Sequence, residues 1–104
     1  MELKRVVVTG LGAVTPLGNT VPDLWDSVVN GRSGASPITL FDASKLKVQF
    51  ACEVKNFDPL QFIDRKEARK MDRFAQLSMV AADEAIADAA IDGGKVDLDR
   101  VGVV

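Results

Sequence analysis

The chain has 104 residues, 47% of them apolar and 27% charged, with a net charge of -2. Those figures fit one small soluble globular domain and exclude a protein that binds nucleic acid through overall positive charge. No apolar run approaches the roughly 20 residues of a membrane span, and three valines after Met1-Glu2-Leu3-Lys4-Arg5 are too few for a signal-peptide core.

A single cysteine, Cys52, argues against a disulfide framework and points to a reducing, cytoplasmic setting. There is no His and no Tyr. A Ser-His-Asp triad, a Cys-His pair and a histidine metal site are therefore excluded within these residues.

Taken in order, Lys4 to Gly12 reads as a strand and a sharp turn. Val6, Val7 and Val8 do not alternate with polar residues, so the strand is expected to be covered on both faces, as in an α/β protein. Gly10 and Gly12 free the backbone to turn, and Thr15-Pro16 holds the exit extended. Thr20, with Asp23 three positions on, predicts a helix start. Val21, Leu24, Trp25, Val28 and Val29 form one apolar stripe, which Asn30-Gly31 ends. Arg32 to Pro37 is a Gly- and Ser-rich loop.

From Lys47 to Lys55 the period becomes two, predicting a half-exposed strand with Val48, Phe50, Cys52 and Val54 on its buried face. Cys52 is thereby expected to be a buried small hydrophobe. Asp58-Pro59-Leu60-Gln61 predicts a short helical turn, and Asp64 with Glu67 has the spacing of a second capping box. A long helix is expected from about Asp72 to the Asp92-Gly93-Gly94 break. Phe74, Leu77, Ser78, Ala81, Ala82, Ala85, Ile86 and Ala89 would line its inner arc, and Met79 and Val80 would leave its middle buried nearly all round. Its alanines allow the helix axis to approach a sheet or another helix closely. Arg100 to Val104 reads as the start of a further apolar strand, so these residues are expected to be the N-terminal part of a longer protein.

Two motifs bear on function. Gly10-x-Gly12 after a strand suggests a dinucleotide site, but position 15 is Thr rather than Gly, Pro16 delays the helix, and residues 31–34 lack the expected acid. The second motif is a cation cluster. Arg65, Lys66, Arg69, Lys70 and Arg73 stand against Glu67 and Asp72, a local charge of +3; the remaining residues hold eight cations and thirteen acids, or -5. On one helix the five cations would fall within about 140° of a single face. The bland alternative is a solvated face; the functional one is a dock for an anionic partner such as a phosphate group or an acidic protein surface.

These segments together resemble the N-terminal quarter of the elongating bacterial β-ketoacyl-acyl-carrier-protein synthases of type II fatty acid synthesis. The residues that carry the likeness are Arg5 to Gly12, Thr15 to Asn19, Trp25, Gly31-Arg32-Ser33-Gly34, Phe41-Asp42 and Arg65 to Phe74. The resemblance implies a thiolase-like α/β fold in layered α/β/α form, of which residues 1–104 supply the first part of the N-terminal half. It also implies a homodimer, decarboxylative Claisen condensation and no organic cofactor. The family's Cys nucleophile and two His residues have no counterpart here, and Cys52 does not match the nucleophile. At the matching positions Lys66, Arg69 and Lys70, the family docks the acidic acyl carrier protein. Three rivals are another condensing enzyme of the same fold, such as a polyketide ketosynthase or chain-length subunit, a free-standing binding module, and a nucleotide-binding domain.

Overall fold

A computed structural model describes residues 1–91 and 94–104, and among them it has three helices, a two-stranded sheet and two 3-10 turns. Helix α1 spans Val21–Val29, strands β1 and β2 span Ser36–Pro37 and Phe50–Ala51, helix α2 spans Arg65–Ala68, and helix α3 spans Arg73–Ala89.

Local signals place α1 at both ends. The Thr20 hydroxyl accepts from the Asp23 amide (3.3 Å), with Pro22 in the first turn, where its missing N–H is harmless. At the other end Gly31 adopts φ +64°, while the amides of Gly31 and Arg32 donate to the Val28 and Ser27 carbonyls. That pairing is a Schellman closure and needs the left-handed residue. Ser27 turns inward, where its hydroxyl donates to the Leu17 carbonyl (2.7 Å). Trp25, Val28 and Val29 are exposed, so of the expected apolar stripe only Val21 and Leu24 are half-buried.

The predicted strand at Val6 to Val8 does not form. A strand exists only as one side of a ladder, and none of these three residues donates or accepts in the backbone hydrogen bonds of the described residues. Arg100 to Val104 likewise forms no strand; Leu98–Arg100 is a 3-10 turn capped by Asp97, followed by exposed Val103 and Val104.

Residues 10–13 instead lie antiparallel along α3. A Cβ added to Gly12 would stand 1.8 Å from the Ala81 carbonyl oxygen, and one added to Gly10 would stand 2.4 Å from that of Ala85. The glycines therefore let this segment rest directly on the helix backbone, against the alanines at 81, 85 and 89. The alanines thus admit a glycine loop in place of the sheet or second helix expected.

In the hairpin, Ser36 pairs with Ala51 and Pro37 with Phe50, and the Ile38 amide donates to Gln49. Alternation survives only from Phe50 to Glu53, with its faces reversed; Val54 is half-buried as expected, and Lys47, Val48, Gln49 and Lys55 are all exposed. Phe50 and Cys52 are exposed, whereas Ala51 and Glu53 are half-buried. Cys52 is thus not the buried hydrophobe expected. The reversal follows from polar partners: the Glu53 carboxylate accepts from the Thr39 hydroxyl (2.8 Å) and from the Thr39 and Leu40 amides, and Lys55 donates to the Gly34 carbonyl (2.9 Å).

The Thr39 hydroxyl, followed by those amides, holds the Glu53 carboxyl below its ordinary range of about 4.3. A depressed folded-state value means that the staple is fully present above the unfolded value and is lost as pH falls through the lower one. The Thr39 and Leu40 amide resonances are expected to titrate together with a midpoint below about 4.3, and to show no such step in Glu53→Gln. A midpoint at or above that value would count against the staple.

Helix α3 starts where expected but ends at Ala89, with Ala90 in the left-handed region (φ 52°) and the Ile91 amide closing on Ile86. Of the expected Asp92-Gly93-Gly94 break, Asp92 and Gly93 lie outside the described residues. Val80 is buried and Leu77, Ala81, Glu84 and Ala85 are half-buried, but Phe74, Ser78, Met79, Ala82 and Ile86 are exposed. The middle of α3 is therefore not covered all round.

Ala43, Ala68 and Val80 are the only buried apolar residues among those described. The radius of gyration is 17.6 Å, against about 13 Å for a compact chain of this length. These residues by themselves build no core of the kind a free-standing binding module requires.

Candidate functional site

The cation cluster sits on a knuckle between α2 and α3. Asp64 starts α2, its carboxylate accepting from the Lys66 amide (3.1 Å). After one turn the pattern tightens, with the Lys70 amide donating to Glu67 and that of Met71 to Ala68. The Ala68 carbonyl also accepts from the Gln76 side-chain amide of α3 (3.0 Å). This long-range bond satisfies a helix-end acceptor and ties the two helices together. Ala68 is buried beneath the knuckle, and Ile63 and Met71 are half-buried beside it.

The five cations all face solvent. Lys66 lies on α2, Arg69 caps its C-terminus, and Lys70 follows in the tightened turn beyond it. The break at Lys70 to Asp72 separates them from Arg73, which opens α3. A single helical face for all five is therefore not formed. The Arg73 guanidinium lies over the Phe57 ring, 5.7 Å from its centre, and Lys70 pairs loosely with Glu67 (3.3 Å). Arg65, Lys66 and Arg69 have no ion-pair partner among the described residues. Exposed Leu60, Phe62 and Phe74 flank the cluster, so the surface is basic with an apolar border.

An unpaired cation on a one-turn helix, with its backbone fixed by a cap and a neighbouring side chain, is suited to meeting a soft anionic surface. Nothing here activates a nucleophile. Cys52, the one thiol, lies in the hairpin, away from any helix start.

The Gly-x-Gly loop is a different matter. Its amides at Leu11 and Ala13 point to α3 and donate to Asp88 (3.0 Å) and Glu84 (3.0 Å). Glu84 also accepts from the Val21 amide at the start of α1 (2.8 Å). Two acids four positions apart beside an alanine row were the sequence signal for this contact, and the reading of the glycines as a turn missed it. Beyond the loop, Thr15 and Gly18 close a tight turn through reciprocal backbone bonds of 2.9 and 3.2 Å.

The profile described as "Beta-ketoacyl synthase, N-terminal domain" matches residues 3–104. The chain belongs to the β-ketoacyl synthase family. Among this ketosynthase chain's relatives, the 3-oxoacyl-[acyl-carrier-protein] synthase 2 of Synechocystis sp. is 51% identical over 104 residues, all of this chain and 25% of that protein. The enzyme of the same name from Coxiella burnetii is 48% identical over 103 residues, again 25% of its length. The ketosynthase chain thus spans about a quarter of the length of these relatives.

Solved structures that share its backbone include two ketosynthases. One is "The ishigamide ketosynthase/chain length factor", with a TM-score of 0.78 at 34% identity, covering 86% of this chain and 22% of that one. The other is a type II polyketide acyl-carrier protein in complex with its ketosynthase bound to the hexaketide, with a TM-score of 0.62 at 26% identity, covering 88% and 23%. The helices and small sheet described above are accordingly those of a partial ketosynthase α/β unit.

Proposed function

We propose that the protein is a β-ketoacyl-acyl-carrier-protein synthase of type II fatty acid synthesis, of which these residues form the first part of the N-terminal half. The observation that supports this most is 51% identity across the whole chain with a 3-oxoacyl-acyl-carrier-protein synthase 2. The family's fold is thiolase-like, with layered α/β/α architecture, and its members work as homodimers in the cytoplasm. The exposed apolar residues at Val6, Val7, Val8 and Val103 then have a role as surface to be covered by further chain or by a second protomer. Among the described residues no helix is long and apolar enough to cross a membrane.

In the reaction a cysteine thiolate takes an acyl group from carrier-protein phosphopantetheine, releasing the carrier thiol. Malonyl-carrier protein then loses carbon dioxide, and the resulting enolate carbon attacks the acyl-enzyme carbonyl. Collapse of that intermediate expels the cysteine thiolate and leaves β-ketoacyl-carrier protein, two carbons longer. Two histidines assist decarboxylation and hold the thioester oxygen as charge develops. None of those three side chains belongs to residues 1–104, so these residues contribute frame and docking surface. Lys66, Arg69 and Lys70 form the part of that surface that meets the acidic acyl carrier protein. Their exposure on and just after one short helix supports the role, as does the carrier protein held by the ketosynthase of similar backbone.

The polyketide reading is supported by backbone likeness at 34% and 26% identity, weaker than 51% to the fatty-acid enzyme. Incubating the intact protein with a saturated acyl-carrier protein and malonyl-carrier protein of the fatty-acid system tests the choice. Two-carbon extension with loss of carbon dioxide is expected. No extension there, with turnover only on polyketide carrier substrates, would overturn it.

A further inference from the structure

The loop from Gly10 to Ala13 has the composition of an anion cradle, and the acids of α3 reach into it. Successive side chains on one face of an extended segment repeat every two residues, about 6.6 Å. Side chains four apart on a helix repeat at about 6 Å. The two repeats agree, so amides 11 and 13 can each meet one carboxylate from residues 88 and 84. The bonds are both 3.0 Å. The glycines at 10 and 12 bring the segment close enough, since any Cβ there would strike the α3 backbone.

Glu84 does more than bridge loop and helix. Its second oxygen accepts from the Val21 amide (2.8 Å), the first residue of the nine-residue helix α1. One half-buried carboxylate thus takes an amide of the glycine loop and an amide at a helix N-terminus. Those are the two groups that a nucleotide phosphate takes in a dinucleotide-binding turn.

We propose that Glu84 is the resident anion of this cradle. It occupies the place a phosphate would need, so the Gly10–Ala13 loop takes no nucleotide, and it fixes the loop and the start of α1 to α3. Glu84 is a positioning residue, and Asp88 supports it at Leu11. The sequence departures at Thr15 and Pro16 are secondary to this occupation: a loop with the right amides is closed because the chain supplies its own charge.

Hydrogen exchange of the intact protein, read on peptides covering residues 10–14 and 19–24, tests the assignment. In Glu84→Ala, exchange at the Ala13 and Val21 amides is expected to rise by about tenfold or more, since a charge-assisted bond is lost at each. Formate at matched ionic strength should restore part of that protection, where chloride does not. Asp83→Ala, on the exposed side of α3, should show neither effect. If Glu84→Ala does not fold, Glu84→Gln serves: its side chain keeps one acceptor, so one of the two amides must exchange faster than in the parent. Wild-type protection at both amides in Glu84→Gln would overturn the proposal. So would equal rescue of Glu84→Ala by formate and chloride, or protection of the loop by NAD in the parent protein, since that would mean the unsubstituted loop binds the nucleotide.

Discussion

Gly12→Ala should destabilise the protein by about 3 kcal/mol or more, or prevent folding. The added Cβ would lie 1.8 Å from the Ala81 carbonyl oxygen and 2.8 Å from the Ala85 nitrogen. Both neighbours are helix backbone, so no rotamer change makes room, and relief requires moving the loop off α3. That movement would also stretch the bonds from Leu11 and Ala13 to Asp88 and Glu84. Two other glycines set the scale. At Gly31 nothing lies within 4 Å, but φ is +64°, so Ala there should lose only about 1 kcal/mol through left-handed strain. Gly102 has neither close neighbours nor positive φ, and its substitution by Ala should be nearly neutral. Denaturant midpoints of the three variants check the order. A Gly12→Ala protein as stable as Gly102→Ala would show that the contact between loop and helix does not hold in solution.

The features read correctly from sequence are those whose cause lies within five residues. Thr20, Asp64 and Gly31 mark helix ends by bonds to positions two to five away, and each end stands where its residues put it. The misses are non-local. Val6 to Val8 has the composition of a strand, but composition cannot supply the neighbouring ladder. Hydrophobicity places Phe50 and Cys52 inside, yet Glu53 is engaged by Thr39 and Leu40, and from Phe50 to Glu53 the apolar side faces outward. The Gly10-x-Gly12 motif suggested a ligand, whereas its partners are Asp88 and Ala85, more than seventy residues on.

The cation cluster falls between these cases. That Lys66, Arg69 and Lys70 would be exposed follows from the expense of burying unpaired charge. That Arg73 would part from them does not follow, because the knuckle depends on Gln76 reaching back to the Ala68 carbonyl. The legible portion of the site is therefore one turn of helix, and its continuation into α3 had to be seen.

Reversing charge at Lys66 and Arg69 (Lys66→Glu with Arg69→Glu) should raise the KM for carrier-bound substrates by roughly tenfold or more at low salt, within the range of electrostatic steering. Both side chains are exposed and without an ion-pair partner among the described residues, so the change removes attraction without breaking a fold contact. Lys70→Glu should do less, since Glu67 already offsets part of its charge at 3.3 Å. By the same reasoning Glu67→Gln should lower that KM. Salt separates this account from a misfolded knuckle. The parent's advantage should shrink as ionic strength passes about 0.1 M, where the screening length falls to about 10 Å, while the reversed variant should be flat or gain slightly. Turnover of a small acyl thioester, which does not need the carrier surface, should stay near the parent's. Equal loss on carrier-bound and small substrates, or a parent rate indifferent to salt, would remove Lys66 and Arg69 from the proposed docking surface.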